Sequence, residues 1–309
     1  MKKMLLVFNP KAGQGTFVQK LYDVISIFSR AGYQVEVYPT FVRGNAQTYI
    51  QEYGSNFDLI VCSGGDGTMN EALNAYMCIE NPPKIAYIPS GTVNDFASTL
   101  KLPKDVIKSA HSIINGHPRL IDVGVLGKQY FSYVAAFGIF TNISYTTDQK
   151  AKNILGRTAY FLEGIKRLGK IPATDCVIKF SSAIKTSSAA SEDEVIEGKF
   201  ILGVITNSTS IAGFNFNAKK SIAIDDGLFE VIFVRKPNNP IEHMEIITTL
   251  RNARKNSNLV IKRRASKIEF SSTQACDWTV DGEFGGKYDN VTIKNLHKKL
   301  NIVLPHSLN

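Results

Sequence analysis

The first third of the chain alternates short apolar runs with longer amphipathic ones, and this alternation leaves few folds open. Met4-Leu5-Leu6-Val7-Phe8 reads as a buried strand, closed by Asn9-Pro10 and a glycine-bearing loop. From Phe17 to Ala31 the apolar residues Leu21, Val24, Ile25 and Phe28 recur at helical spacing. Val35-Glu36-Val37-Tyr38 is the next strand, and Ala46 to Tyr53 the next helix. Leu59-Ile60-Val61-Cys62 then precedes a helix holding Glu71 to Cys78, and Ile85-Ala86-Tyr87-Ile88 is a further strand. Strands that alternate with helices in this way predict a parallel sheet covered on both faces.

Beyond Leu120 the rhythm changes. Strand-like runs follow one another with turns between them: Ile121 to Leu126, Tyr130 to Ala136, Val177 to Phe180, Phe200 to Thr206, Phe229 to Val234, Lys267 to Phe270 and Val291 to Ile293. They predict a second, mostly antiparallel domain, with helices around Arg157 to Leu168 and Ile241 to Arg254. A Ser-rich stretch from Ser181 to Ser191 runs into Glu192-Asp193-Glu194 and reads as an exposed hairpin excursion. A chain of 309 residues has room for two domains.

Lys and Arg outnumber Asp and Glu by 36 to 27, giving a net charge of +9. A positive excess suits a polyanionic partner such as a nucleotide, nucleic acid or anionic membrane surface, without choosing among them. Cys62, Cys78, Cys176 and Cys276 form no C-x-x-C pair, so neither a zinc knuckle nor a redox dithiol is indicated. No apolar run reaches the roughly 18 residues of a spanning helix. The N-terminal one stops at Phe8, short of a signal peptide's apolar region. The expectation is a soluble cytoplasmic protein with reduced thiols.

Cys62-Ser63-Gly64-Gly65-Asp66-Gly67-Thr68 stands between a buried strand and a helix. Glycines let the backbone approach a ligand closely, and consecutive N–H groups at a helix start attract anions. Asp66 in its midst would repel a bare phosphate, so the loop points to a nucleotide accompanied by a cation. A strand–helix turn capped by Asp66 or Thr68 is the plainer alternative. The Walker sequence is absent, and Val18 breaks the dinucleotide fingerprint after Gly13 and Gly15. Two more loops follow strands of the same predicted sheet: Asn9-Pro10-Lys11-Ala12-Gly13, and Pro89 to Phe96, which contains Gly91-Thr92 and Asn94-Asp95. Ligands of open α/β sheets bind at the carboxyl ends of strands, so the three loops would form one crevice. Taken alone, Asn94-Asp95 reads equally as a helix cap. Asp225-Asp226-Gly227-Leu228 and Asp281-Gly282-Glu283 each read as a turn. Asp122 is either a strand-edge acid or another carboxylate near the crevice.

Read together, these segments resemble the diacylglycerol kinase catalytic-domain family, which includes sphingosine and ceramide kinases, and above all its soluble bacterial members. The resemblance runs through Asn9 to Gly13, Thr40 before Gly44-Asn45-Ala46, Gly64 to Thr68, Gly91 to Asp95, Asp226 to Leu228 and Asp281 to Glu283, in that order. It implies an ATP-binding α/β domain over residues 1–122, to which a tail of about 300–309 returns, and a β-sandwich-like lipid-substrate domain over 123–299. It implies ATP held by Asn9, Pro10, Lys11, Ala12, Gly13, Thr40, Gly65, Asp66, Gly67, Thr68, Met69, Asn70, Glu71 and Thr92. Asp66, Asp95 and Asp122 would organise Mg²⁺, and Glu283 would be the general base. Asp226, with the carbonyls of Ala223 and Leu228, would hold a second, structural Mg²⁺. Ala223 is placed only by its spacing before Asp226.

The implied activity is ATP- and Mg²⁺-dependent phosphorylation of a lipid alcohol, with diacylglycerol favoured and a sphingoid base or polyprenol as alternatives. An enzyme like NAD kinase, which shares a similar glycine loop, and a non-catalytic lipid-binding pseudokinase are the competing readings. The implied partners are a lipid at a membrane surface, anionic lipid among them, with no nucleic acid and with room for a homodimer. Such a protein would be cytoplasmic and reversibly peripheral. The densest basic stretch, Arg251, Arg254, Lys255, Lys262, Arg263, Arg264 and Lys267, reads either as a dock for anionic lipid or as a solvated cationic face.

Overall fold

The structure, a computed structural model, describes residues 1–138, 172–181, 194–207, 210–211, 214–215, 223–252 and 257–306. The helix expected at 157–168 and nearly all of the Ser-rich stretch lie outside these residues. The described chain is mostly β, with few helices, and divides into two compact units: Met1–Ile121 with Lys298–Asn309, and Asp122–His297.

The first unit is built on parallel strands β1 (Lys2–Phe8), β2 (Tyr33–Pro39), β3 (Leu59–Gly64) and β4 (Lys84–Pro89). β1 lies between β2 and β3, and β3 lies beside β4. Met4 to Phe8 are buried without alternation, as a strand covered on both faces requires. On one face Met4, Leu6 and Phe8 pack with Val24 and Phe28 of α2 (Leu21–Arg30) and with Ala110 and Ile113 of α6 (Val106–Ile114). Each large apolar side chain buried there contributes about 1.5–3 kcal/mol. Asp105 caps α6 by accepting the N–H of Lys108 at 2.9 Å.

The predicted helix from Phe17 to Ala31 is broken at Lys20, which leaves a single turn, α1 (Thr16–Gln19), ahead of α2. α3 (Asn45–Tyr53) is placed as the spacing predicts. α4 (Asp66–Tyr76) starts five residues before Glu71, because Asp66 itself occupies its first turn, where an acid is favoured. A short α5 (Asp95–Thr99) and α6 occupy a segment for which the spacing predicts no helix.

The second unit is an antiparallel sheet. Its strands are the later part of β5 (His117–Leu126), β6 (Gln129–Phe131), β7 (Val134–Gly138), β8 (Thr174–Ser181), β9 (Glu194–Thr206), β12 (Phe229–Arg235), β13 (Val260–Ala265), β14 (Lys267–Val280) and most of β15 (Glu283–Leu304). The two-residue strands β10 (Ser210–Ile211) and β11 (Phe214–Asn215) pair with each other. Between β9 and β14 lie β7 and β8, end to end: Ala135 to Phe137 pairs with one part of each, and Thr174 to Phe180 with the other. β12 continues the sheet from β9 to β13. The single strand expected over Tyr130 to Ala136 is therefore two, parted at Ser132-Tyr133. The short runs at Lys267 and Val291 are parts of a long hairpin, β14–β15.

The core of this unit is aromatic. The rings of Phe137 and Trp278 lie 5.0 Å apart, and Phe270 meets Trp278 edge-on at 5.2 Å, an arrangement worth about 0.5–1.5 kcal/mol per pair beyond burial. A helix, α7 (Pro240–Arg251), lays Ile246 and Leu250 on Leu202, Val204 and Ile232. Among the described residues no helix is long and apolar enough to cross a membrane.

Candidate active site

Three loops meet at the carboxyl ends of β1, β3 and β4. Asn9 donates its N–H to the Ser63 carbonyl at 2.9 Å, and its side-chain oxygen accepts the N–H of Lys11 at 2.9 Å. Gly13 has φ +54° and lies so close to Ser90 that a Cβ would overlap the Ser90 carbonyl oxygen. A Cβ on Gly91 would overlap Cα of Gly65. These glycines are what bring the three backbones into contact. Ser90 and Gly91 donate their N–H groups to the Gly64 carbonyl at 2.9 and 3.0 Å. The buried Tyr87 hydroxyl donates to the same carbonyl at 3.1 Å, and burial pushes that phenol well above its usual range.

Asp66 ties two of the loops together. One carboxylate oxygen accepts the N–H of Asp95 at 3.2 Å and the other the N–H of Phe96 at 3.3 Å. The carboxylate thus caps α5, and Asp66 and Asp95 are brought together. Carboxylate oxygens are donors of the kind that suits Mg²⁺. The contacts of Asp66 are those of the plainer reading, a turn acid that caps the neighbouring loop. Asn94 stands at φ +55°; its side chain accepts the N–H of Gly91 at 3.1 Å and donates to the Gly91 carbonyl at 2.7 Å.

Thr40 donates its N–H to the Phe8 carbonyl at 2.9 Å. Glu71 accepts the N–H of Gly44 at 2.9 Å, and Asn45 accepts those of Phe41 and Val42. Glu71 thereby fixes the loop that follows Thr40. Met69 is fully buried and donates its N–H to Gly65 within the helix, so it supports the glycine loop from behind. Pro10, Ala12, Gly67 and Asn70 are half-buried around the loops, Thr68 is buried, and Lys11 and Thr92 are exposed. A cavity of about 560 Å³ opens beside Gly13, Ser90 and Thr92, bordered by Thr16, Lys101 and Lys104; neither Asp66 nor Thr40 lines it.

In the second unit Asp122 is fully buried. Its carboxylate accepts the N–H of Gly227 at 2.6 Å and faces Nδ1 of the half-exposed His297 at 3.0 Å. Asp226 accepts the N–H of Leu228 at 3.0 Å and is paired with Arg264, which also pairs with Glu230 at 2.8 Å. Burial raises the Glu230 carboxyl, and Arg264 partly offsets this. The position expected to hold a second cation thus already faces a guanidinium, an arrangement that does not fit a divalent ion. Ala223 is half-buried just before Ile224, whose carbonyl accepts the N–H of Asp122 at 2.9 Å. Among the described residues no three His, Cys, Asp or Glu side chains cluster as a metal set.

Glu283 opens β15, directly after a two-residue turn in which Asp281 (φ +49°) and Gly282 (φ +86°) are both left-handed. That is the hairpin geometry for which Asp-Gly is a strong signal. Glu283 is half-buried. Asp281 and His297 hold contacts to which the sequence reading assigned no role, and Arg264 was read only as part of the basic stretch. For Asp281 the signal was present, as an Asp-Gly pair between two apolar runs; for the other two no local signal exists.

The described members of the basic stretch have partners within the protein. Lys262 donates to the carbonyls of Thr249 and Asn252 at 3.2 and 3.4 Å, near the end of α7, and desolvation lowers its ammonium pKa. Arg263 forms a two-pronged pair with Glu194, Arg264 pairs as above, and Lys267 meets Glu269 at 2.8 Å. Arg254 and Lys255 lie outside the described residues, as does the side chain of Arg251. Lys262, Arg263 and Arg264 are thus each paired internally, which the reading as a cationic face accommodates.

The family model of the diacylglycerol kinase catalytic domain matches residues 3–126. The chain is 32% identical over 308 residues to a diacylglycerol kinase of Bacillus subtilis strain 168, covering 99% of this chain and 97% of that one. It is 33% identical over 308 residues to a diacylglycerol kinase of Staphylococcus epidermidis strain ATCC 12228, covering 98% and 92%. A crystal structure from Bacillus anthracis strain Sterne, assigned to the diacylglycerol kinases, superposes with a TM-score of 0.83 at 25% identity, covering 100% of this chain and 98% of that one. The chain belongs to the diacylglycerol kinase family. It is accordingly an enzyme of the lipid kinase class.

Proposed function

We propose that this enzyme transfers the γ-phosphoryl group of ATP to the free hydroxyl of diacylglycerol, giving phosphatidic acid. The observation that carries this reading is the convergence of the three glycine loops, with Gly13 against Ser90, Gly65 against Gly91, and Asp66 joined to Asp95. Phosphoryl transfer asks a protein for in-line positioning and cancellation of charge, and little covalent chemistry. The loops Asn9 to Gly13 and Gly65 to Thr68, with Thr40 and Thr92, hold the nucleotide, the Gly13 region of the first loop lying against the third. Glu71 acts on it by fixing the Gly44 loop, and Met69 by supporting the glycine turn.

Asp66 and Asp95 fit Mg²⁺, which would neutralise the triphosphate when bound. Asp122 holds the Gly227 turn beside His297. Glu283 accepts the proton of the attacking hydroxyl, a role typically worth about 10²–10⁴-fold. No step is assigned to a cation at Asp226. The second unit, read as a β-sandwich-like domain, serves the lipid, and the enzyme visits the membrane surface from the cytoplasm.

The test is transfer of labelled γ-phosphate from ATP to diacylglycerol, a sphingoid base and a polyprenol in mixed micelles, with NAD as a soluble control. Label in phosphatidic acid supports the reading. Label confined to another lipid alcohol replaces the substrate, and label in NAD alone overturns it.

A further inference from the structure

Asp281 is only 2% exposed, although it sits in a hairpin turn, where an Asp normally points to water. Its carboxylate is fully engaged. One oxygen accepts the N–H of Ser132 at 2.7 Å and the Ser132 hydroxyl at 2.9 Å; the other accepts the N–H groups of Tyr133 at 3.0 Å and Val134 at 3.1 Å. Its own N–H donates to the Val134 carbonyl at 2.8 Å. The strand expected from Tyr130 to Ala136 is interrupted at this point, and the interruption turns successive N–H groups toward a single anion. A two-residue Asp-Gly turn closes a hairpin without such help, so closing the hairpin does not account for the clamp.

The turn it fixes leads straight into Glu283. The backbone direction from which the Glu283 side chain departs is set by Asp281 and Gly282, both at positive φ. We propose that Asp281 is the positioning residue for Glu283: it anchors the turn to Ser132, Tyr133 and Val134 so that the carboxylate of Glu283 is held where the substrate hydroxyl requires it. This rests on the reading of Glu283 as proton acceptor. A carboxylate is needed because it accepts from both oxygens; an amide, in either orientation, would turn its NH₂ group against at least one N–H donor.

The test is a double-mutant cycle on the full chain, assayed by labelled phosphate transfer from ATP to diacylglycerol in mixed micelles, well below the melting temperature of each variant. Asp281→Asn is expected to lower kcat about 10–100-fold, part of what a general base supplies, with KM for ATP within about twofold. Combined with Glu283→Gln, the same change is expected to lower kcat by no more than about twofold further, because the group it positions is gone. An equal loss in both backgrounds, or wild-type kcat for Asp281→Asn, overturns the proposal. If Asp281→Asn does not fold, Ser132→Ala, which removes one of the four donors, should lower kcat about threefold to tenfold with the same split; unchanged kcat overturns it. Glu283→Gln alone tests the underlying reading: near-wild-type turnover there removes the base itself, a different failure from additivity in the cycle.

Discussion

The carboxylate of Asp66 accepts the backbone N–H of Asp95, a residue 29 positions later, across 3.2 Å. On the proposed function this loop acid both caps the neighbouring loop and organises Mg²⁺. Asp66→Ala should abolish Mg²⁺-dependent transfer and lower stability by about 1–3 kcal/mol, the cost of leaving part-buried donors unsatisfied. Activity across a Mg²⁺ series and a denaturation curve check the two effects separately. Stability lost with activity intact would reduce Asp66 to a cap.

Glu283→Gln is nearly isosteric and removes only the proton acceptor. Turnover should fall at least about 10²-fold, while the melting curve and nucleotide binding stay near wild type. Activity within about tenfold of wild type would take the base role from Glu283.

Gly13→Ala places a methyl group on the Ser90 carbonyl in a backbone conformation that L side chains rarely adopt. The first and third loops should separate. ATP should then raise the melting temperature of wild type but much less that of the variant, since stabilisation by a ligand follows its affinity. An unchanged shift would mean that these loops do not hold the nucleotide.

Asp226→Ala should cost about 1–3 kcal/mol, since it deprives half-buried Arg264 of one carboxylate partner. Mg²⁺ titrations should stabilise wild type and variant alike. Stabilisation of wild type alone would place a divalent ion at Asp226.

The thiols give a check independent of catalysis. Burial pushes Cys176 to about 12 and Cys276 to about 11, and raises Cys62 further, so each holds little thiolate at pH 8. Alkylation follows the thiolate and access to it. Iodoacetamide at pH 8 should label the exposed Cys78 first in the native protein, with Cys62 and Cys176 labelled only on unfolding. Peptide mass spectrometry reads the order.

Period and turn chemistry made much of this molecule legible. The unbroken apolar run from Met4 to Phe8 and the helical spacing of Val24 and Phe28 gave the parallel sheet and its cover, because burial on one or two faces writes itself into local order. The glycine loops were legible because only glycine tolerates those approaches. Hidden were the contacts that join distant residues: Asp66 to Asp95, Asp122 to His297, Arg264 to Asp226. No local pattern encodes a partner that many residues intervene before. The partners of the basic stretch were hidden for the same reason, since a charge in sequence carries no record of the carboxylate that meets it.

β15 begins at Glu283 in the second unit and ends in the first, where Ile302 pairs in parallel with Ile85, Asn301 donates its N–H to the Tyr76 hydroxyl at 3.2 Å, and Val303 joins the apolar core. The first unit is therefore discontinuous in the chain, and a ribosome must translate all of the second before the missing strand emerges. Until then β4 presents an unpaired edge of the kind that recruits other chains. Nascent or prematurely terminated products ending before Lys298 are for that reason natural clients for chaperones, and the sheet that carries the glycine loops is completed late in synthesis.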